Sequence, residues 1–333
     1  MTPDAFSRAL RGERGFSAIE LATLADKLGA DLHFLITGEP DPNLVRVSAR
    51  HSYDFATGQH HIPGAGADTP YLEDIVLAYE QVQGDLPASR LPANIDEARA
   101  GLGADFVPSF ADRLGVFGVD VVRLAELTTS YSFFVGDRAV IALQGTPNWF
   151  RENWALAHEL HHLIYKAAAL RSGARIEYTS SEPEANGFAG ELLMPAEWMR
   201  TIDWVRITDY SLAQYVWGLG VSTDALVKRL TAIGVPFGSH VAAWTQHSTQ
   251  RLLRRHWSST VPGDPITDRM NAAATRRFPV PLQEAHLARI AAGSVRKDTL
   301  AWMLGVKPDV LDVDEPTAPV ALSTDELTAA LGL

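Results

Sequence analysis

The sequence predicts an α+β fold that is mainly helical, and three observations predict it. Apolar residues recur at helical spacing over most of the chain. A short strand-rich stretch at residues 118–143 interrupts them, with the two-residue turn Gly136-Asp137 between two of its strands. The chain has 333 residues, 46% of them hydrophobic and 21% charged, which suits about two domains and a sizeable core.

The elements follow in order. Residues 4–14 read as a short helix that ends at the Gly12/Gly15 region. A second helix opens at Ser17 with Glu20 three places on, a capping box, and carries Ile19, Leu21, Leu24, Ala25 and Leu28 at helical spacing before Gly29. Residues 31–39 form a further helical turn, and residues 41–69, rich in Pro and Gly, read as a linker. Helices are expected over Leu72–Gln83 and Ile95–Leu114, then strands over 118–124, Ser130–Val135 and Arg138–Leu143. Asn153–Lys166, Pro183–Leu193 and Leu212–Ile233 read as helices, as do Pro281–Ala292, Lys297–Leu304 and Thr324–Leu331 near the end.

Composition narrows the chemistry. With no cysteine, neither a disulfide framework nor a thiolate metal site is possible, so any transition metal must be held by histidine and carboxylate. The N-terminus lacks a signal-peptide pattern and no apolar run approaches a membrane span, so a cytoplasmic protein with no membrane partner is expected. Net charge is −11, which argues against a nucleic-acid protein as a whole. The charge is uneven: Arg251–Lys297 holds nine Lys/Arg against three Asp/Glu. That block is either a solvated basic surface or a face for nucleic acid or an acidic partner.

The sharpest motif is His158-Glu159-Leu160-His161-His162. On a helix, His158 and His162 lie one turn apart on the same face, so both imidazoles can reach one ion. Glu159 projects beside them as a general base, and His161 sits off the ligand face. Catalytic zinc usually takes three protein ligands, so a third is expected from a following helix. The segment Ser181-Glu182-Pro183-Glu184-Ala185-Asn186 offers two carboxylates. Pro183 suits a first helical turn and places Glu182 at the cap. Glu184 would point the other way, so only one can ligate, and Glu182 is favoured. Asn186, four residues on, would be an amide that orients a ligating histidine.

These residues resemble the ImmA/IrrE family of metallopeptidases. The resemblance rests on Ala157 through His162, on Glu182, Ala185, Asn186, Phe188 and Ala189, and on Glu191-Leu-Leu-Met-Pro195, and it spans about residues 70–235. It implies a small gluzincin-like zinc peptidase domain, a short antiparallel or mixed sheet plus an active-site helix. It also implies Zn2+ on His158, His162 and Glu182, with Glu159 as catalytic base. His161 departs from the family, which usually has Gly there. Strand Arg138–Leu143 would be the sheet edge that pairs with an extended substrate. Tyr165 and Tyr178 are the candidate transition-state donors. The expected partner is a protein substrate, a helix-turn-helix repressor, cut in a stress-response or mobile-element switch.

The N-terminus resembles a partial XRE-type helix-turn-helix over residues 1–40, with the first two helices missing. Arg8, Arg11 and Arg14 are its candidate DNA contacts; the alternative is a docking appendage. Met1 stands where such modules often have Val, so an upstream extension encoding two helices is expected. The remaining domains are the linker at 41–69, the peptidase domain at 70–240 and a helical module at 245–333 that resembles a second helix-turn-helix unit. The leading expectation is a zinc endopeptidase acting on a protein regulator. The alternative is a DNA-binding regulator whose peptidase-like domain senses a ligand or partner without cleavage. An antitoxin or immunity-type interaction protein is the third.

Overall fold

A computed structural model describes residues 3–28, 32–37, 48–49, 52–54, 59–61, 65–172, 182–259 and 262–316. The chain divides into two compact units, Met1–Arg46 and Val47–Leu333. The first holds α1 (Pro3–Leu10), α2 (Ala18–Leu28) and α3 (Leu32–Thr37). Its capping box forms as the sequence predicts: Ser17 Oγ accepts from Glu20 N at 3.3 Å, and Glu20 accepts from Ser17 N at 3.1 Å. The expected helical segment Thr324–Leu331 lies outside the described residues.

The second unit begins with short strands inside the segment expected as linker. These are β1 (Ser48–Ala49) and the antiparallel pair β2 (Ser52–Asp54) and β3 (Gln59–His61). Helix α4 (Ala65–Glu80) starts well before Leu72 and carries Pro70 inside it. Tertiary contact explains the early start. Buried Asp68 accepts from Thr128 N at 3.0 Å, Thr128 Oγ1 at 2.8 Å and Tyr131 Oη at 2.6 Å, which fixes the first turns against the sheet.

Helix α5 (Ile95–Leu102) is shorter than expected. Gly103 takes φ +76° and Asp105 φ +52°, so the chain leaves the helix and continues as 3₁₀ turns around α6 (Phe110–Arg113). The sheet follows with β4 (Val119–Leu124), β5 (Tyr131–Val135) and β6 (Arg138–Gln144), in the order β1-β5-β6-β4. Strand β6 is antiparallel to β5 and parallel to β4, with Val121 opposite Ile141. This corrects the expectation that Arg138–Leu143 is an edge. β6 is central and buried along Arg138–Leu143, and its near-continuous apolar run Ala-Val-Ile-Ala-Leu is what a strand covered on both faces requires. Arg138 pairs with Asp120 at 2.6 and 2.8 Å, and Tyr79 donates to the same carboxylate at 3.1 Å, joining β6, β4 and α4.

Helix α7 (Trp149–Ser172) crosses the sheet and buries Leu156, Leu160 and Leu163 completely. Each contributes roughly 1.5–3 kcal/mol by leaving water. Helix α8 (Glu182–Leu193) packs along it, followed by α9 (Ala196–Met199). The single helix expected over Leu212–Ile233 is two, α10 (Asp209–Leu219) and α11 (Thr223–Ala232). Gly220 at φ +62° ends the first, and Ser222 caps the second by accepting from Ala225 N at 3.1 Å. The chain then runs through α12 (Ser239–Ala243), α13 (Thr249–His256), α14 (Pro265–Ala274), α15 (Val280–Ala291) and α16 (Asp298–Leu304). The hydrophobic core continues without a break from Leu160 to Leu252, Leu253, Ile266 and Ala273. Among the described residues, no helix is long and apolar enough to cross a membrane.

Candidate metal centre

The site is built on two packed helices. Asn148 starts α7 by accepting from Arg151 N at 3.2 Å, and Glu152 lies in the first turn, where a negative charge suits the helix dipole. Two turns on, His158 and His162 stand on one face with ring centroids 4.8 Å apart and are 2% and 6% exposed. Glu182 is the first residue of α8 and meets them there: His158 Nε2 lies 3.3 Å from its Oε2, and His162 Nε2 lies 3.2 Å from its Oε1. The two Nε2 atoms are 3.1 Å apart.

Three donors held this close in a buried place could hold one shared cation. Atoms that bind one tetrahedral zinc at about 2.0–2.1 Å stand about 3.3–3.4 Å from one another, and the observed separations of 3.1–3.3 Å fit that arrangement. The donor set is the two-histidine, one-carboxylate kind used by hydrolytic zinc, and the three residues form a group able to hold a metal. Burial pushes the Glu182 carboxyl up, but the imidazoles of His158 and His162 beside it hold it well below the usual carboxylate range. Glu184, the other carboxylate of that turn, is exposed.

Glu159 lies beneath this cluster, 1% exposed. Its Oε2 accepts from Ser132 Oγ at 2.7 Å, while Oε1 is buried with no hydrogen-bond partner among the described residues. Lys166 Nζ donates to the Ser132 carbonyl at 2.6 Å. Burial pushes the Lys166 ammonium down to about 7, with Glu159 opposing. The sequence reading missed both partners. Their signals were a lone serine in an apolar strand, and a lysine one turn past His162 on a helix face that is otherwise buried.

Other expectations fare differently. Asn186 does not orient a histidine. Its side chain is exposed and Oδ1 accepts from Trp154 Nε1 at 3.4 Å, one turn before His158, because the α7–α8 packing carries it past the ligands. His161 is half-buried against Phe188, with centroids 5.4 Å apart, and desolvation, then the charges of His162 and His158, push it down to about 4. Tyr165 is half-buried; Tyr178 lies outside the described residues. Glu191 fixes the far end of α8, accepting from Arg99 at 2.8 Å, from Arg229, and from Ala196 N at 3.3 Å. In the first unit, Arg8 lies 3.6 Å and Arg11 2.7 Å from Glu13, and Arg14 lies 2.8 Å from Glu20.

Residues 115–231 match the family model described as Peptidase_M78, IrrE N-terminal-like domain. The match covers about a third of the chain, narrower than the expected span of 70–235, and it contains the sheet strands β4–β6, both histidines, Glu159, Glu182 and Glu191. The likeness drawn from those motifs therefore holds over this segment. No curated protein and no solved structure matches the chain.

Proposed function

We propose that this chain is a zinc-dependent endopeptidase that cuts a protein regulator, with a helix-turn-helix repressor as the expected substrate class. One observation carries the reading: His158, His162 and Glu182 converge beside a glutamate that is held at one oxygen and, among the described residues, unpartnered at the other. The match of residues 115–231 to a peptidase family supports it independently. The substrate class comes from the family resemblance alone.

His158, His162 and Glu182 would hold the ion. When bound, zinc polarises the peptide carbonyl and makes water a better nucleophile near neutral pH. Glu159 takes the proton of the attacking water at Oε1 and later returns it to the leaving amine. Ser132 Oγ keeps Oε2 in place during both transfers, and Lys166 keeps Ser132 in place through its carbonyl. Burial of all three keeps competing water out.

The regulator alternative gains little from the basic block. Six of its nine cations sit within ion-pair distance of carboxylates of this chain: Arg254, Arg276, Arg277, Arg289, Arg296 and Lys297. The decisive test is elemental analysis of dialysed protein. Wild type should hold about one zinc per chain and Glu182→Ala should lose most of it, as a three-ligand site demands. Cleavage of a co-encoded repressor by wild type but not by Glu159→Gln would then establish the peptidase. No metal in wild type, and no uptake at micromolar zinc, sinks the reading.

A further inference from the structure

A cleft of about 380 Å³ opens where the first turn of α7 meets the 107–112 segment and the chain from Arg269 to Arg277. Its charged lining is Asp112, Arg123, Glu152, Arg269, Arg276 and Arg277, four guanidinium groups against two carboxylates. Two of the four are matched within the cleft. Arg123 forms a fork on Glu152 at 2.6 and 2.9 Å, and Arg277 reaches Asp112 at 2.5 Å. Arg277 Nε is nevertheless buried without a hydrogen-bond partner among the described residues. Arg276 turns to Glu126 at 3.2 Å, outside the lining, and to the carbonyls of Trp302 and Met303.

Arg269 is the anomaly. No carboxylate among the described residues pairs with it. Its guanidinium lies 3.8 Å from the ring centroid of Trp217 and 4.8 Å from that of Trp149, with a 3.4 Å contact to the Trp217 carbonyl. Burial pushes it down to about 10, the direction expected of a cation that lacks a counter-ion. Indole faces attract a guanidinium but leave most of its N–H donors unspent.

We propose that this cleft binds a small oxyanion of the phosphate class, inorganic phosphate or a phosphomonoester, with Arg269 as its principal ligand. Arg269 has N–H donors to spare and Arg277 Nε is buried without a partner among the described residues, so the complementary ligand carries several acceptor oxygens and negative charge. A phosphate group meets both needs. The cleft also joins two stretches of chain. Trp149 opens the helix that carries His158 and His162, whereas Arg269 and its neighbours belong to α14 and the strand-like segment after it. A bound anion would tie them together.

The test does not depend on peptidase activity. Calorimetric titration of the full chain with inorganic phosphate and with glucose 6-phosphate, at constant ionic strength, should show saturable millimolar or tighter binding that chloride does not mimic. The preferred probe of the two identifies the source. Arg269→Gln should weaken binding at least about tenfold, the loss of a charge-assisted contact. Asp112→Asn removes an exposed carboxylate that competes for Arg277, and it should tighten binding several-fold in a protein that folds normally. Failure of both probes to bind at about 10 mM overturns the proposal, as does equal affinity in wild type, Arg269→Gln and Asp112→Asn.

Discussion

Ser132 spends both ends of one residue on the candidate site: its hydroxyl holds Glu159 and its carbonyl receives Lys166. Ser132→Ala should leave zinc content and KM unchanged and lower kcat by about 10- to 100-fold, less than the loss of about 10²–10⁴ expected of Glu159→Gln. A fall in metal content instead would mean that Ser132 supports the ligands. Lys166 makes a different prediction, one of pH. Its folded value of about 7 lies below its ordinary 10.5, so between those values the unfolded chain binds more protons and stability rises with pH. The cost of burying the ammonium is present in full below pH 7 and fades as pH climbs towards 10. Lys166→Met should therefore raise the melting temperature most at pH 6 and much less at pH 9. A difference that does not change with pH would refute the buried-charge account.

At the scale of elements, the turn between α10 and α11 shows how a short signal outranks periodicity. The apolar spacing of residues 212–233 fits one helix, yet Gly-Val-Ser-Thr-Asp at 220–224 contains a stop and a start. A Cβ on Gly220 would come 2.3 Å from Val107 Cγ1 and 2.4 Å from Asn153 Nδ2, at φ +62°. Gly220→Ala should destabilise the fold by about 2–3 kcal/mol, whereas Gly218→Ala, with nothing within 4 Å inside α10, should stabilise it by about 0.5–1 kcal/mol. Paired chemical denaturation of the two variants checks both signs. The same lesson covers what was legible. His158, Glu159 and His162 could be read because helical geometry alone puts them together. Glu182 could be read from its helix start. Ser132 and Lys166 stand out singly as polar residues in apolar surroundings, but their link could not be read, since it spans 34 residues and depends on how α7 lies on β5. Asn186 failed for the same reason: spacing along a helix does not say which neighbour the helix packs against. The central place of β6 is consistent with its unbroken apolar run, whereas the edge position expected for it came from the family resemblance.

For the molecule as a whole, metal and fold should be linked. Zinc added to stripped protein should raise the melting temperature of wild type in a concentration-dependent way, and Glu182→Ala should lose most of that rise, because a ligand that favours the native state stabilises it by mass action. Parallel scans with and without chelator give the comparison. The sheet imposes a further condition. One flank is closed where Arg123 on β4 exchanges backbone hydrogen bonds with Arg277 at 2.9 and 3.0 Å. The other flank belongs to β5, and there Ser48 and Ala49 already lie antiparallel opposite Ser132 and Tyr131. Backbone groups on an edge pair once. Under the proposed function, a substrate peptide that paired with β5 at Tyr131 and Ser132 would have to displace a strand of the same chain. That rival is tethered, and its local concentration never dilutes. Under the proposed function, a substrate strand and residues 48–49 of the same chain would be alternatives for one short stretch of β5.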